Sequence, residues 1–117
     1  MAYVDGFVIP MKKDRLEDYL RIAEASSALF KEYGALSVVE CVGDDVPYGE
    51  LTSFPRAVQA AEDEVVIFSW ITYPSKEVRD ASNKRMMEDS RMKDLMETCP
   101  VDGKRMIFGG FNMAVQA

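Results

Sequence analysis

Residues 65–71 constrain the fold more than any other part of the sequence. They read VVIFSWI, and this β-branched and aromatic content is typical of a strand. An antiparallel strand with one face in water alternates apolar and polar residues, whereas this one is apolar on both sides. A chain of 117 residues has no spare element to cover the second face. The pattern therefore predicts a homodimer in which two sheets pack face to face.

The other segments complete a β-α-β-β-α-β order. The strands are predicted at residues 3–9, 35–42, 64–73 and 105–113, and the helices at residues 14–33, 75–89 and 91–97. Pro10 is expected to end the first strand, Gly34 the first helix, and Ser75 to cap the second helix. The Gly109-Gly110 pair indicates a bulge or a close backbone approach. This order predicts one α+β domain over residues 1–117, a ferredoxin-like sandwich with two helices on one sheet face.

Composition excludes several classes of protein. No apolar run approaches the roughly 20 residues of a membrane helix, so no membrane contact is expected. The N-terminal apolar run precedes its lysines, the reverse of a signal peptide. Cys41 and Cys99 share no C-x-x-C spacing and are interpreted as reduced thiols, which predicts a cytoplasmic protein.

The chain contains no histidine, which argues against catalytic triads and zinc sites. Its acidic runs, Asp44-Asp45 and residues 62–64, lack the ligand spacing of a calcium loop. No metal and no cofactor are therefore expected. A net charge of −6 repels a phosphate backbone, so nucleic acid is not an expected partner.

Charged residues within apolar strands are the first candidates for a binding site. Asp5 and Glu40 interrupt predicted strands, and Arg105 opens the last one. Buried charges need partners, so a structural pair of either carboxylate with Arg105, or a position at a wet strand edge, is favoured over a polar pocket. Trp70, the single tryptophan, is favoured as a core residue over a pocket wall.

Periodicity in the second long helix places Arg85 under the helix, facing the sheet. A surface pair with Asp89, four residues on, is the favoured interpretation, and contact with a ligand carboxylate is the alternative. The methionines of this region are interpreted as adaptable packing. Residues 43–63 form a long connection, in which residues 54–58 are expected to be either one helical turn or a short extra strand. The simplest role for this connection is an arm that covers a partner's sheet edge.

Five segments carry a resemblance across most of the chain: YVDGF, LFKEYGAL, VVECVGDDVP, VVIFSWITYPSKEVRDASNKRMM and DGKRMIFGGF. They resemble the YbaA-like family of uncharacterised bacterial proteins. The resemblance implies the dimeric α+β barrel superfamily, with a ferredoxin-like fold and a dimer formed through the sheets. That superfamily includes cofactor-independent monooxygenases, heme-degrading enzymes and stress-responsive binding proteins, so the fold alone does not select a function.

Two functions are consistent with the sequence. The first is a dimeric module that binds a small, partly apolar molecule or a protein partner, without catalysis. The second is a cofactor-independent monooxygenase or isomerase acting on a small aromatic or enolisable substrate. In that enzyme Trp70 and Tyr73 would wall the pocket, Arg85 or Arg105 would stabilise an enolate-like anion, and Asp5 or Glu40 would serve as the base.

Overall fold

A computed structural model describes residues 1–117. The strands are β1 (Tyr3–Lys12), β2 (Ser37–Val42), β3 (Glu64–Tyr73) and β4 (Ile107–Asn112). They form one antiparallel sheet in the spatial order β2-β3-β1-β4, which is the ferredoxin-like arrangement predicted above. The helices are α1 (Leu16–Glu32), α2 (Phe54–Ala57), α3 (Lys76–Glu88) and α4 (Ser90–Glu97). None of these helices combines the length and the apolar content that a membrane span requires.

The prediction that Pro10 ends β1 is wrong, because the strand continues through Pro10 to Lys12. Pro10 lies opposite Val66 on β3, but β4 pairs with β1 only as far as Val8. At Pro10, β1 therefore has a neighbour on one side only. A proline is tolerated there because its missing N–H can face the unpaired side.

Helix boundaries follow from capping residues. The prediction for Gly34 is confirmed, since it follows α1 with φ of +111°. Ser75 caps α3 by accepting a hydrogen bond from the Val78 N–H, also as predicted. Asp89 separates α3 from α4 and accepts a hydrogen bond from the Arg91 N–H. Residues 54–58 of the long connection were expected to form either a helical turn or a short strand. The structure has the helical turn, α2, which Ser53 caps.

The hydrophobic core lies between the helices and one face of the sheet. One cluster joins Ile9, Met11 and Ile67 to Tyr19 and Ala23 of α1. A second cluster packs near the other end of the same strands and consists of Tyr3, Ala35, Ile71 and Tyr73. These sheet residues alternate along β1 and β3, so the intervening residues point to the opposite face. We call that second surface the open face.

Candidate functional site

The open face carries a concavity of about 640 Å³. None of the residues that line it is charged, and most are aromatic or aliphatic. Phe68, Ile107 and Phe111 are 45%, 46% and 59% exposed, so this is apolar surface that meets water. Its remaining wall and floor residues are Val4, Gly6, Phe7, Val8, Trp70, Phe108, Gly109 and Met113. An uncharged surface of this kind indicates an association or ligand site.

Two adjacent glycines form the floor of the concavity. Gly6 lies opposite Trp70 on one side and Gly109 on the other. A Cβ at Gly6 would come no closer than 4.0 Å to Phe111, and a Cβ at Gly109 no closer than 3.6 Å to the same ring. Neither glycine has a positive φ. The fold therefore does not require glycine at these positions, and their effect is to keep the floor free of side chains.

An aromatic row continues the open face into the long connection. Phe54 of α2 packs edge-on against Phe68 at 5.6 Å between ring centroids, and Phe68 contacts Trp70 at the same distance. The connection is held by Arg56, whose guanidinium donates to the carbonyls of Tyr48 and Gly49. The interpretation of Trp70 as a core residue is wrong, because Trp70 is half-buried and walls the concavity. Its strand neighbours at 69 and 71 face the core instead.

A polar cluster lies on the other side of the same sheet, beneath α3. It consists of Tyr3, Asp5, Tyr73, Arg79 and Ser82, and we call it the sub-helix cluster. The Arg79 Nη2 donates to the Tyr3 Oη at 2.9 Å, and the Arg79 Nε lies 3.6 Å from Asp5 Oδ1. Burial raises the pKa of Asp5, while the charge of Arg79 opposes this shift. The sub-helix cluster thus contains two of the residues predicted as binding-site candidates, Asp5 and Tyr73.

Glu40 lies in a separate polar contact below α1. Its carboxylate accepts a hydrogen bond of 2.6 Å from the Tyr19 hydroxyl. Burial raises the pKa of Glu40, and the hydrogen bond from Tyr19 partly opposes this. Burial and the adjacent Glu40 also raise the pKa of Tyr19. The favoured pairing of Glu40 with Arg105 is wrong, because a tyrosine hydroxyl takes that place.

Arg105 pairs with neither Asp5 nor Glu40. Its Nη1 and Nη2 donate bidentate hydrogen bonds of 2.8 and 2.7 Å to the two carboxylate oxygens of Glu64. Its Nε donates a further hydrogen bond of 2.7 Å to the Asp102 carboxylate. This ion pair ties the start of β3 to the turn before β4. Arg105 therefore has a structural partner set of its own, remote from the sub-helix cluster.

The prediction that Arg85 faces the sheet is wrong. Arg85 is exposed, with its guanidinium 5.7 Å from the centre of the Tyr33 ring, and it makes no ion pair with Asp89. Asp89 instead binds Arg91 and Tyr33. The buried face of α3 passes through Ser82 and Met86 and places Arg79 inward. Positions 79, 82 and 86 fit one face of a helix as well as the predicted face, which had Arg85 inward. The helix α3 has too few apolar residues for the sequence to show which of the two faces is buried.

A family model described as "Protein of unknown function (DUF1428)" matches residues 2–103. The chain belongs to this family. It is 55% identical over 115 residues to "Uncharacterized protein YbaA" of Escherichia coli K12, and equally to the YbaA of Shigella flexneri, with 98% of each chain covered. The resemblance to YbaA-like proteins is confirmed, and the family's function is not established.

Two solved structures support the fold. The chain superimposes with a TM-score of 0.64 on a NIPSNAP family protein from Agrobacterium tumefaciens, covering 96% of this chain and 92% of that one at 12% identity. It superimposes with a TM-score of 0.62 on Rv0793 from Mycobacterium tuberculosis, covering 100% and 99% at 10% identity. At these identities the similarity shows the α+β fold alone.

Proposed function

We propose that two copies of this chain pair through the open face, and that the protein binds a small, uncharged, partly aromatic molecule in the concavity there. The observation that carries the proposal is the glycine-floored concavity of about 640 Å³, which no charged residue lines. Such a volume is within the usual range for small-molecule sites. Its aromatic walls favour a flat molecule that can stack.

A second copy is the partner that the charge distribution supports. Each chain carries a net charge of −6, so two copies repel at long range and must associate through an uncharged region. The open face has charged residues only at one end, where Lys12 lies opposite Glu64. Two identical apolar faces are self-complementary, as a two-fold interface requires. Burial of the exposed Phe68 and Phe111 supplies the driving force.

Pairing is tested by light scattering and sedimentation at micromolar concentration. We expect the wild type to be a dimer and Phe68→Lys to be a monomer, because the substitution buries an unpaired ammonium. Met87→Lys is the matched control: Met87 is 77% exposed on α3, away from the open face, and this variant should remain a dimer. A monomeric wild type, or a dimeric Phe68→Lys variant, would refute the pairing.

Ligand binding is tested with Nile red, a neutral and flat probe whose emission rises in apolar surroundings. Binding should also quench Trp70, the only tryptophan, which walls the concavity. Gly109→Val should abolish both signals by filling the floor. Gly103→Val is the control, because a Cβ there meets no atom within 4 Å and the site lies outside the concavity. Unchanged binding by Gly109→Val would contradict the assignment of the site.

A further inference from the structure

We propose that each copy of the chain closes the concavity of its partner with residues 46–54 of the long connection, which we call the arm. Leu51 of one copy then forms the outer wall of the ligand site of the other. The inference rests on the pairing through the open face proposed above. It adds the orientation of the two copies and the segment that completes each site, so it can fail while the pairing stands.

The arm carries apolar side chains that its own chain leaves uncovered. Leu51 is 92% exposed, Tyr48 60% and Phe54 49%. Glu50 is the single charged residue in the arm. Apolar side chains gathered on one segment and held in water are typical of a surface that contacts another apolar surface.

The arm is fixed in shape before any partner arrives. The Arg56 Nε and Nη2 donate hydrogen bonds of 3.0 Å to the carbonyls of Tyr48 and Gly49, and the guanidinium lies 3.9 Å from the centre of the Tyr48 ring. Gly49 has φ of +69°, and a Cβ there would lie 2.6 Å from the Thr52 carbonyl oxygen. These contacts leave Leu51 in solvent on a preformed turn. Its burial against a second copy therefore costs little ordering of the chain.

The two glycines of β4 face opposite sides of the sheet. Gly110 faces the helices, where a Cβ would come within 2.6 Å of the Arg79 Nη2 and 2.7 Å of the Tyr3 ring. The prediction of a close backbone approach at the Gly109-Gly110 pair is thus confirmed at Gly110. Gly109 has only the Phe111 ring as a neighbour, at 3.6 Å, so packing within the chain does not explain the absence of a side chain there. The recess at Gly109 is space that a second molecule can use.

The open face is therefore raised on one side and recessed on the other. The raised side is at β3, where Phe54 of the arm packs on Phe68. The recessed side is at β1 and β4, over Gly6 and Gly109. A raised apolar side and a recessed apolar side on one face are complementary in shape, so two copies can fit each other.

The orientation of the pair follows from this shape. Two identical sheets packed face to face are related by a two-fold axis that runs either along the strands or across them. Because the strand order is β2-β3-β1-β4, an axis along the strands places the raised side of each copy over the recessed side of the other. An axis across the strands sets recess against recess and leaves a gap, whereas interfaces pack closely. The axis along the strands is therefore the one that the shape favours.

This axis also determines where the arm meets the second copy. Phe68 on β3 and Ile107 on β4 both pair with Val8, so they lie at one level along the strands. Rotation about the axis keeps this level and exchanges the two sides of the sheet. Because Phe54 anchors the arm on Phe68, the arm meets the partner at the level of Ile107, which lines the concavity. The volume of about 640 Å³ exceeds the roughly 300 Å³ of the smallest ligand sites, so it admits Leu51 together with a ligand.

Crosslinking with a short bismaleimide tests the orientation. In a background that carries Cys41→Ser and Cys99→Ser, the double variant Leu51→Cys, Ile107→Cys should give a covalent dimer in a denaturing gel. Leu51→Cys alone should stay unlinked, because the two arms lie on opposite sides of the pair. The matched control is Met87→Cys with Ile107→Cys, which should also stay unlinked, since Met87 is exposed on α3 away from the open face.

The contribution of Leu51 is tested by sedimentation and Nile red titration. Leu51→Asp should weaken both dimerisation and Nile red binding by about tenfold or more, the effect of losing a buried leucine. Val115→Asp is the control, because Val115 is 90% exposed, carries the same type of side chain and lies outside the concavity. It should leave both affinities unchanged.

The outcomes separate the two proposals. A monomeric wild type would overturn the pairing and this inference together. A dimeric wild type in which Leu51→Cys crosslinks alone would show that arm meets arm, and would overturn the inference only. The same holds if the Leu51→Cys, Ile107→Cys variant gives no covalent dimer, or if Leu51→Asp behaves like Val115→Asp.

Discussion

Protonation of Glu64 should weaken the fold in acid, and the structure allows the size of the effect to be worked out. The Glu64 side chain is 3% exposed and receives two bonds from Arg105 and one from the Ala61 N–H. The hydrogen bonds from Arg105 lower the pKa of Glu64 from 4.5 to about 2. Because the pKa is lower in the folded state, the stabilisation is complete above the unfolded pKa and is lost as pH falls from about 4.5 towards 2.

The pKa difference corresponds to at most about 3.5 kcal/mol of unfolding free energy, at about 1.4 kcal/mol per pKa unit. Arg105 is 27% exposed, so solvent screening reduces this figure, and we expect about 1–2 kcal/mol. Urea denaturation at about pH 6 and about pH 3 should show that the wild type loses this much more stability than Glu64→Gln. The glutamine variant keeps the shape of the side chain but cannot titrate. Equal losses in the two proteins would refute the assignment of acid sensitivity to this pair.

Three further substitutions have expected outcomes that urea denaturation at neutral pH can measure. Tyr19→Phe should cost about 1–3 kcal/mol, because it leaves the carboxylate of Glu40 buried without its donor; no loss would mean that water replaces the hydroxyl. Gly110→Ala should cost about 1–3 kcal/mol through overpacking, whereas Gly103→Ala, which meets open space, should be nearly neutral; equal effects would contradict the close approach. Arg85→Met should change stability by about 1 kcal/mol or less, since Arg85 is exposed and only stacks on a ring, and a larger loss would show that it is buried.

Strand positions could be predicted from the sequence where local chemistry decides them. The bounds of β3 agree with prediction at both ends, because an apolar β-branched run is followed directly by Pro74 and the capping Ser75. Local sequence does not show that β1 continues through Pro10, because a proline is tolerated there only where β4 has stopped pairing with β1, which is a distant feature. The helix predicted from residue 14 begins at Leu16 instead, because residues Lys13–Arg15 form a 3-10 turn.

The partners of charged residues were harder to predict than the residues themselves. Asp5, Glu40 and Arg105 are all engaged in polar contacts, yet none pairs with another. The sequence shows that a buried charge needs a partner. Which residue becomes that partner depends on the register of the strands and on the rotation of each helix about its axis. At about 100° per residue, Arg79 and Arg85 point about 120° apart around α3. The rotation of the helix about its own axis therefore decides which of the two arginines lies beneath it, and the observed rotation places Arg79 there.

The position of β1 in the sheet has a consequence for how the chain folds. Tyr3 pairs with Tyr73 on one neighbour and with Asn112 on the other, so the first strand along the sequence is central and both its partners come much later. During synthesis, β1 and α1 must wait for most of the chain before the sheet can close. Such long-range pairing slows folding, and the apolar residues of β3 stay exposed meanwhile. We expect newly made chains to depend on chaperones more than helical proteins of similar length do.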